Sequence, residues 1–448
     1  MRPIPGPTSL QLLFALPAIQ KNPLAYLMDS VATYGNLVKY RAGSTDAFLV
    51  NEPAHIRHIL QDNHRNYTKN TIQYNQLAAI TGRGLLTSDG EAWLRQRRLA
   101  QPAFHRRRLE RLGDTIVNAT ANMLGHWETY AQRQEPLDID EEMMRLALEI
   151  VGKALFSIDL RRDAQALTHA TLTALDHIVY RSSHFLALPD GVPTPRNRRF
   201  KAALRTLDQA VYALIDQRRR SADPPDDLLT LLLTARDEET GAGMTERQVR
   251  DEIMTMLIAG HETVASALTW CWFLLSQHPN VVQAAQEEIE TVVGERPPTV
   301  EDLPRLGRSA QIFAETLRLY PPAWLITRQA QAADELDGQP IPAGSLIIIS
   351  PYVIHRHPGY WENPEHFDPN RFDSGQADAL ERFAYIPFGG GPRLCIGDRF
   401  ATLEAQLIIA QVLQRYQLDL VARHPVDLAP LVTLRPKHGL LVTLRKKN

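Results

Sequence analysis

The chain has 448 residues, long enough by length alone for more than one domain, and its apolar share of 44% supports a large buried core. Lys and Arg number 49 against 51 Asp and Glu, so no global charge draws it toward nucleic acid or another polyanion. Two cysteines, Cys271 and Cys395, exclude a disulfide framework and a multi-cysteine zinc or iron–sulfur site, and they suit a reducing compartment.

In chain order, Pro3 to Pro7 reads as extended backbone, because proline fixes φ and disfavours helix around it. The apolar run Leu10 to Leu16 stops at Pro17, far short of the roughly 20 residues that a spanning helix needs. It lacks a clear basic leader and a small-residue cleavage site. The expectation is a cytoplasmic protein with no membrane span, though an apolar N-terminal edge is available to touch a membrane. Leu37–Tyr40 and Phe48–Val50 read as short strands around a Gly-Ser turn. From about Gly90 to Gly294 the pattern is helical, interrupted by two turn-rich stretches, Leu188–Pro195 and Ser221–Asp226. The longest helix is expected from about Thr245, which with Gln248 forms a capping box, to Gln277 before His278-Pro279. Its apolar residues run nearly all round, which predicts a buried central element. A further helix follows Gly307 and ends at Pro321-Pro322. Ser345–Ile349 and Gly439–Leu444 read as strands, and a last helix runs from about Asp398 to Tyr416.

The stretch Phe388-Gly-Gly-Gly-Pro-Arg-Leu-Cys-Ile-Gly397 is the most informative. Three glycines and a proline forbid regular structure and let the backbone approach a flat object closely. Cys395 precedes a predicted helix, whose free N–H groups and dipole favour thiolate over thiol. A thiolate so held is able to ligate haem iron, and Arg393 is able to pair with a carboxylate beside the sulfur. A buried structural cysteine would have to explain the glycines, the arginine and the helix start together.

Several other groupings bear chemistry. Within the long helix, Ala259-Gly-His-Glu-Thr263 places a glycine, an acid and a threonine where propensity disfavours them. Gly260 is expected to leave room for a small molecule, and Thr263 to hydrogen-bond back to the Ala259 carbonyl, loosening the ladder and opening a groove. Trp93 and Arg97 set two donors four residues apart on one helix face. Glu315 and Arg318 lie three apart, the spacing of an ordinary surface ion pair. His355-Arg-His-Pro358 reads as a turn after a strand rather than a metal motif. The basic run from His105 to Arg108, with Arg111, is most simply a solvated helix face.

The cysteine segment resembles the haem-binding signature of the cytochromes P450, met here by Phe388, Gly391, Arg393, Cys395 and Gly397. Ala259 to Thr263 resembles that family's oxygen-binding groove. The resemblance covers almost the whole chain, with its motifs in the family order. It implies one mainly α domain over residues 1–448, with a helix-rich body (90–320 and 395–420) and a small β-rich lobe (30–60 and 325–360). Haem b, iron protoporphyrin IX, would lie between the long helix and the cysteine loop. The resemblance assigns the iron to Cys395 and the propionates to Trp93, Arg97, Arg328 and Arg393. Phe388, Gly397, Ala259 and Gly260 would shape the cofactor's surroundings. Thr263 would position dioxygen and Glu262 would feed protons. Glu315, Arg318 and Arg371 would lock the region beneath the haem, with Asn370 where many members have Glu. The basic run His105–Arg108, with Arg111, would dock an acidic electron donor. The expected reaction is insertion of one atom of O2 into a hydrophobic substrate such as a fatty acid, terpenoid or steroid. Electrons would come from NAD(P)H through a reductase and a separate ferredoxin or flavodoxin, and the protein would act as a monomer. Side chains expected to meet substrate are Ile72, Leu85, Leu86, Leu186, Ala259, Ala323, Trp324, Leu325 and Ile326. Two alternatives stay open: a haem-thiolate isomerase, dehydratase or peroxygenase, and a haem-binding sensor or carrier.

Overall fold

In a computed structural model, the described residues are 4–42, 45–161, 163–184, 188–237, 239–373, 375 and 380–447. The N-terminal third begins with α1 (Ser9–Lys21), α2 (Pro23–Tyr34), β1 (Leu37–Ala42) and β2 (Thr45–Val50). Then come α3 (Pro53–Arg57), β3 (Tyr67–Thr68), α4 (Ile72–Thr81), α5 (Gly90–Ala100), α6 (Arg106–Arg111) and α7 (Gly113–Arg133). The central run comprises β4 (Leu137–Asp138), α8 (Ile139–Phe156), α9 (Ala164–Ser183), α10 (Pro195–Arg220), α11 (Leu228–Thr234) and α12 (Glu246–Gln277). Next are α13 (Pro279–Val292), α14 (Gly307–Leu319), β5 (Ile326–Ala330), β6 (Asp334–Leu336), β7 (Gln339–Ile341), β8 (Leu346–Ile349) and α15 (Pro351–Ile354). The chain closes with α16 (Asp398–Leu413), β9 (Tyr416–Leu420), β10 (Leu428–Pro430), β11 (Leu434–Pro436) and β12 (Leu441–Lys446).

The axis of the fold is α12. Its Thr245 cap is reciprocal, the Thr245 hydroxyl accepting from the Gln248 N–H while the Gln248 side chain accepts from the Thr245 N–H. Apolar residues bury it on most sides: Ile253, Met254, Leu257 and Ile258 enter one core, Val264, Leu268, Cys271 and Trp272 another. A helix apolar all round is stable only when neighbours cover it all round, and α8, α10, α14 and the C-terminal strands do so.

The largest sheet has strand order β1-β2-β8-β5-β3 and forms a lobe with its own core around Phe48, Ile56, Ile347 and Ile349. β1 and β2 pair as a hairpin, β2 runs parallel to β8, and β8 is antiparallel to β5. β12 lies between β4 and β9, and β10 pairs with β11 in a separate hairpin. One expectation needs refinement at the N-terminus: α1 continues through Pro17 to Lys21. A proline there frees the Leu13 carbonyl, and Leu13 is exposed, so water satisfies it. Among the described residues no helix is long and apolar enough to cross a membrane.

Candidate functional site: a cysteine ringed by buried cations

The loop before α16 folds back on itself. The Cys395 N–H donates to the Phe388 carbonyl (3.0 Å), closing a turn whose Gly389 and Gly391 take φ of +77° and +66°. Gly391 is required twice over, since a Cβ there would lie 2.0 Å from the Leu60 carbonyl oxygen. Phe388 packs its ring against the main helical core. Gly397 has no such constraint from the protein: a Cβ would lie 4.0 Å from Cys395 Sγ and 3.8 Å from Phe104.

Cys395 is open to small molecules, yet protein surrounds it closely enough that burial raises its thiol from the ordinary value. An exposed residue packed about so closely is read as the floor of a cleft. The Gly397 N–H, Arg97 and Lys69 act against that shift, while Asp398 adds to it. The expected help from the helix start is thus narrower than the sequence suggested. One backbone N–H reaches the sulfur, and α16 begins three residues on, with an acid in its first turn.

Cations converge around this cleft. Arg393 donates to the Ser88 carbonyl (2.8 Å) and to Asp89 (2.5 Å), with its guanidinium 4.3 Å over the Trp93 ring. Arg97 donates to the Leu394 carbonyl (2.9 Å). Arg328, buried on β5, donates to the Thr327 carbonyl (2.8 Å) and meets the Tyr74 hydroxyl (3.3 Å). Sequence reasoning missed a fourth member, Lys69, which is buried and donates to the Leu86 carbonyl (2.8 Å). Burial pushes Lys69 well below its ordinary value, and the nearby Arg328 and Arg393 push the same way. Arg393 is lowered to about 10, by burial against the pull of Asp89 and with Arg328 adding to the fall. Like charges gathered out of water destabilise each other unless an anion joins them. Among the described residues Asp89 is the carboxylate that Arg393 and Lys69 share, so the cluster suits a ligand that carries two more.

Across the cleft, the Thr263 hydroxyl donates to the Ala259 carbonyl (2.6 Å). The helix nonetheless runs without interruption through this point. Ala259, Gly260 and Thr263 are half-exposed within an otherwise buried stretch of α12. A Cβ on Gly260 would lie 3.0 Å from Val151, so the glycine also lets α12 approach α8. Glu262 does not face Thr263. It is buried, accepting from Thr433 (2.8 Å) and Arg435 (3.1 Å) on the C-terminal hairpin. Burial raises its affinity for a proton, which Arg435 and Thr433 partly offset.

The cleft wall is apolar. Leu86, Phe104, Ile396 and Val432 are half-buried against a core containing Leu85, Trp93 and Ile258. Other residues expected there stand exposed or pack against different groups. Ile72 is 68% exposed. Ala323 is exposed at a turn, whereas Trp324 packs with Leu24 and Val38 and donates to the Leu431 carbonyl (2.9 Å). Ile326 belongs to the lobe core and Leu325 packs beside Trp324. Leu186 lies outside the described residues.

The remaining motifs are structural in placement. Glu315 and Arg318 are fully buried and joined through two contacts (2.7 and 2.8 Å), with Arg371 Nε 3.5 Å from Glu315. A surface pair is therefore excluded. His355 accepts from the Ile386 N–H (2.8 Å), and His357 meets Asn36 (2.8 Å), so both histidines are engaged in holding the turn. Among the described residues no group of three His, Cys, Asp or Glu is placed to hold a metal ion. On α6, Arg108 is taken up by Asp226 (2.7 Å).

A single cysteine at the mouth of a glycine-rich turn, ringed by cations and facing a buried helix across an apolar cleft, defines a haem-thiolate protein. The chain belongs to the cytochrome P450 family, whose sequence model, described as Cytochrome P450, matches residues 4–442. Similar proteins include cyclooctatin synthase of Streptomyces melanosporofaciens, 37% identical over 94% of this chain and 90% of the relative. Cyclooctat-9-en-7-ol 5-monooxygenase of the same organism is 36% identical, covering 92% and 89%. Pentalenene oxygenase of Streptomyces avermitilis is 35% identical, covering 95% and 93%. The protein is an enzyme of the cytochrome P450 monooxygenase class.

Proposed function

We propose that the chain, acting as a single domain, hydroxylates or epoxidises a terpenoid with O2, using electrons from NAD(P)H passed on by a separate ferredoxin or flavodoxin. The observation that carries this reading is the buried cation cluster around Cys395. Lys69, Arg97, Arg328 and Arg393 outnumber their carboxylate partners, and haem b would bring two propionates to them while Cys395 ligates its iron. When bound, that group supplies the activation of dioxygen.

The chain's own residues then divide the work. Trp93 stacks its ring on Arg393, and Arg328 and Lys69 complete the cluster. Leu85, Leu86, Ile258 and Val432 exclude water and bind an apolar substrate by burial alone. Thr263 holds a hydroxyl at the cleft face of α12, and burial strengthens the hold of Glu262, one residue back, on a proton. The relatives named for cyclooctatin, cyclooctat-9-en-7-ol and pentalenene support a terpenoid, as does the apolar wall.

Cys395→Ser is expected to abolish the thiolate-type spectrum of the reduced carbonyl complex; retention of that spectrum overturns the ligand assignment. Product formed with NAD(P)H and surrogate redox proteins is the expected result for a monooxygenase. Turnover without external electrons would place the chain with isomerases or peroxygenases, and haem binding without turnover would make it a sensor. Thr263→Ala is expected to release hydrogen peroxide at the expense of product, by up to roughly the 10²- to 10⁴-fold range of general acid–base contributions. Undiminished coupling would remove Thr263 from that role.

A further inference from the structure

The C-terminal hairpin is stitched to α12 along one helix face. Ser266 donates its hydroxyl to the Leu434 carbonyl (2.6 Å), and the Trp270 indole donates to the same oxygen (2.7 Å). Between them and the cleft, Arg435 reaches two carboxylates at once. Its Nη1 donates to Glu262 Oε1 (3.1 Å) and its Nη2 to Asp140 Oδ2 on α8. Thr433 donates to Glu262 Oε2 (2.8 Å), and the Thr269 hydroxyl, 2.9 Å from the Ala265 carbonyl, lies 3.2 Å from Asp140 Oδ1. Asp140, Glu262, Thr433 and Arg435 are all buried.

We infer that Asp140 and Arg435 are positioning residues for Glu262: one guanidinium divided between two buried carboxylates holds Glu262 against the hairpin and sets how tightly it keeps its proton. This rests on the proton-feeding role proposed for Glu262. The charge balance carries the argument. Two carboxylates share one cation in a dry site, so the fully ionised trio bears an uncompensated negative charge, which is costly there. A proton held on either acid removes that charge.

The other ionisable neighbours leave this balance standing. His261, next to Glu262 on α12, is neutral, lowered to about 3 by burial and by Arg435. Asp138, at the start of α8, accepts from the Asp140 and Leu440 N–H groups (3.0 and 3.1 Å) and adds negative charge beside Asp140. Burial raises both Asp140 and Glu262, with Arg435 opposing in each case. The two acids therefore compete for one guanidinium, and weakening either contact shifts Glu262 in a sign that the geometry fixes. The same contacts tie Glu262 to Val432, one residue before Thr433, which lies against the apolar wall of the cleft. A substrate that displaces this turn would reach the acid through Thr433 and Arg435.

The test uses the haem-loaded enzyme and follows the infrared carbonyl band of protonated Glu262 against pH, assigned by its loss in Glu262→Gln. Asp140→Asn frees Arg435 for Glu262 and is expected to lower the midpoint by about one unit, a roughly tenfold weaker hold on the proton. Arg435→Gln is expected to raise it by a similar amount. Should Arg435→Gln fail to fold, Thr433→Val removes the other contact and is expected to move the midpoint in the same upward direction. The pH dependence of product formed per NAD(P)H is expected to shift in parallel, downward for Asp140→Asn and upward for the others. Shifts of one common sign, or none, overturn the inference, since a merely structural role gives no opposed pair. The infrared reading needs no turnover. A protein that makes no product would thus sink the monooxygenase reading and still decide this one.

Discussion

Two sets of buried arginines flank the cysteine loop, and they differ in whether the chain completes them. Beneath the loop, Arg318 is fully buried and every direction of its guanidinium is answered: Glu315 on one side, the carbonyls of His355, Pro364 and His366 on the other. Glu315 also accepts the Asp368 N–H (2.9 Å) and faces Arg371. Around Cys395, by contrast, Arg328 and Lys69 spend their donors on carbonyls and a phenol while repelling one another. The first set is finished by folding and the second by a guest. A buried cation paired directly to a carboxylate and answered on every side marks a structural lock; buried cations left without such a partner mark a binding site.

That distinction breaks most readily at Glu315. Glu315→Gln leaves two arginines facing each other without a carboxylate, which is expected to cost about 3–5 kcal/mol of folding stability. Urea unfolding of the haem-free and haem-loaded forms measures it, and both should fall together. Arg328→Gln is the complementary change. It removes a cation from an overfull cluster, so the haem-free protein should lose no stability. Haem retention should weaken by roughly 1.5–3 kcal/mol, the worth of one charge-assisted hydrogen bond, read as faster transfer of haem to an acceptor protein. If Arg328→Gln harms the haem-free form as much as Glu315→Gln does, the contrast between lock and site collapses.

How much of this was legible depended on sequence distance. The cysteine turn, the capping box at Thr245 and the Ala259–Thr263 stretch are local patterns, and their backbone geometry follows from glycine, proline and cap chemistry. Lys69 carries no local signal: its burial comes from the Leu86 carbonyl above it and β5 beside it, neither adjacent in the chain. Arg435 and Asp140 are separated by 295 positions, so no spacing argument brings them together. Gly260 was legible as a glycine needing a reason, but its close neighbour Val151 stands on a different helix. The substrate wall was hardest, because Trp324 is drawn away by Leu24, Val38 and the Leu431 carbonyl, all distant in the chain.

The finest test of the comparison lies where a carboxylate is neither locked nor awaiting a cofactor. Glu252 on α12 is fully buried and accepts the Leu85 N–H (3.0 Å), while its neighbour Asp251 accepts the Arg83 N–H (2.9 Å). The intervening loop lies so close to α12 that a Cβ on Gly82 would meet the Asp251 carboxyl at 2.1 Å. Burial raises Glu252 to about 8, with Asp251 adding to the rise and the Leu85 N–H opposing it. A folded value above the unfolded one means that the folded state binds the extra proton. The resulting stability is complete below about pH 4, near the unfolded value, and is lost as pH climbs through about 8. Between about pH 6 and 7 the loss should be on the order of 1 kcal/mol, and Glu252→Gln should flatten it. Urea midpoints at those two values read the slope directly. A Glu252→Gln variant as pH-sensitive as the parent would mean that Glu252 is ionised in the fold, and that its contact with Leu85 is a lock of the first kind.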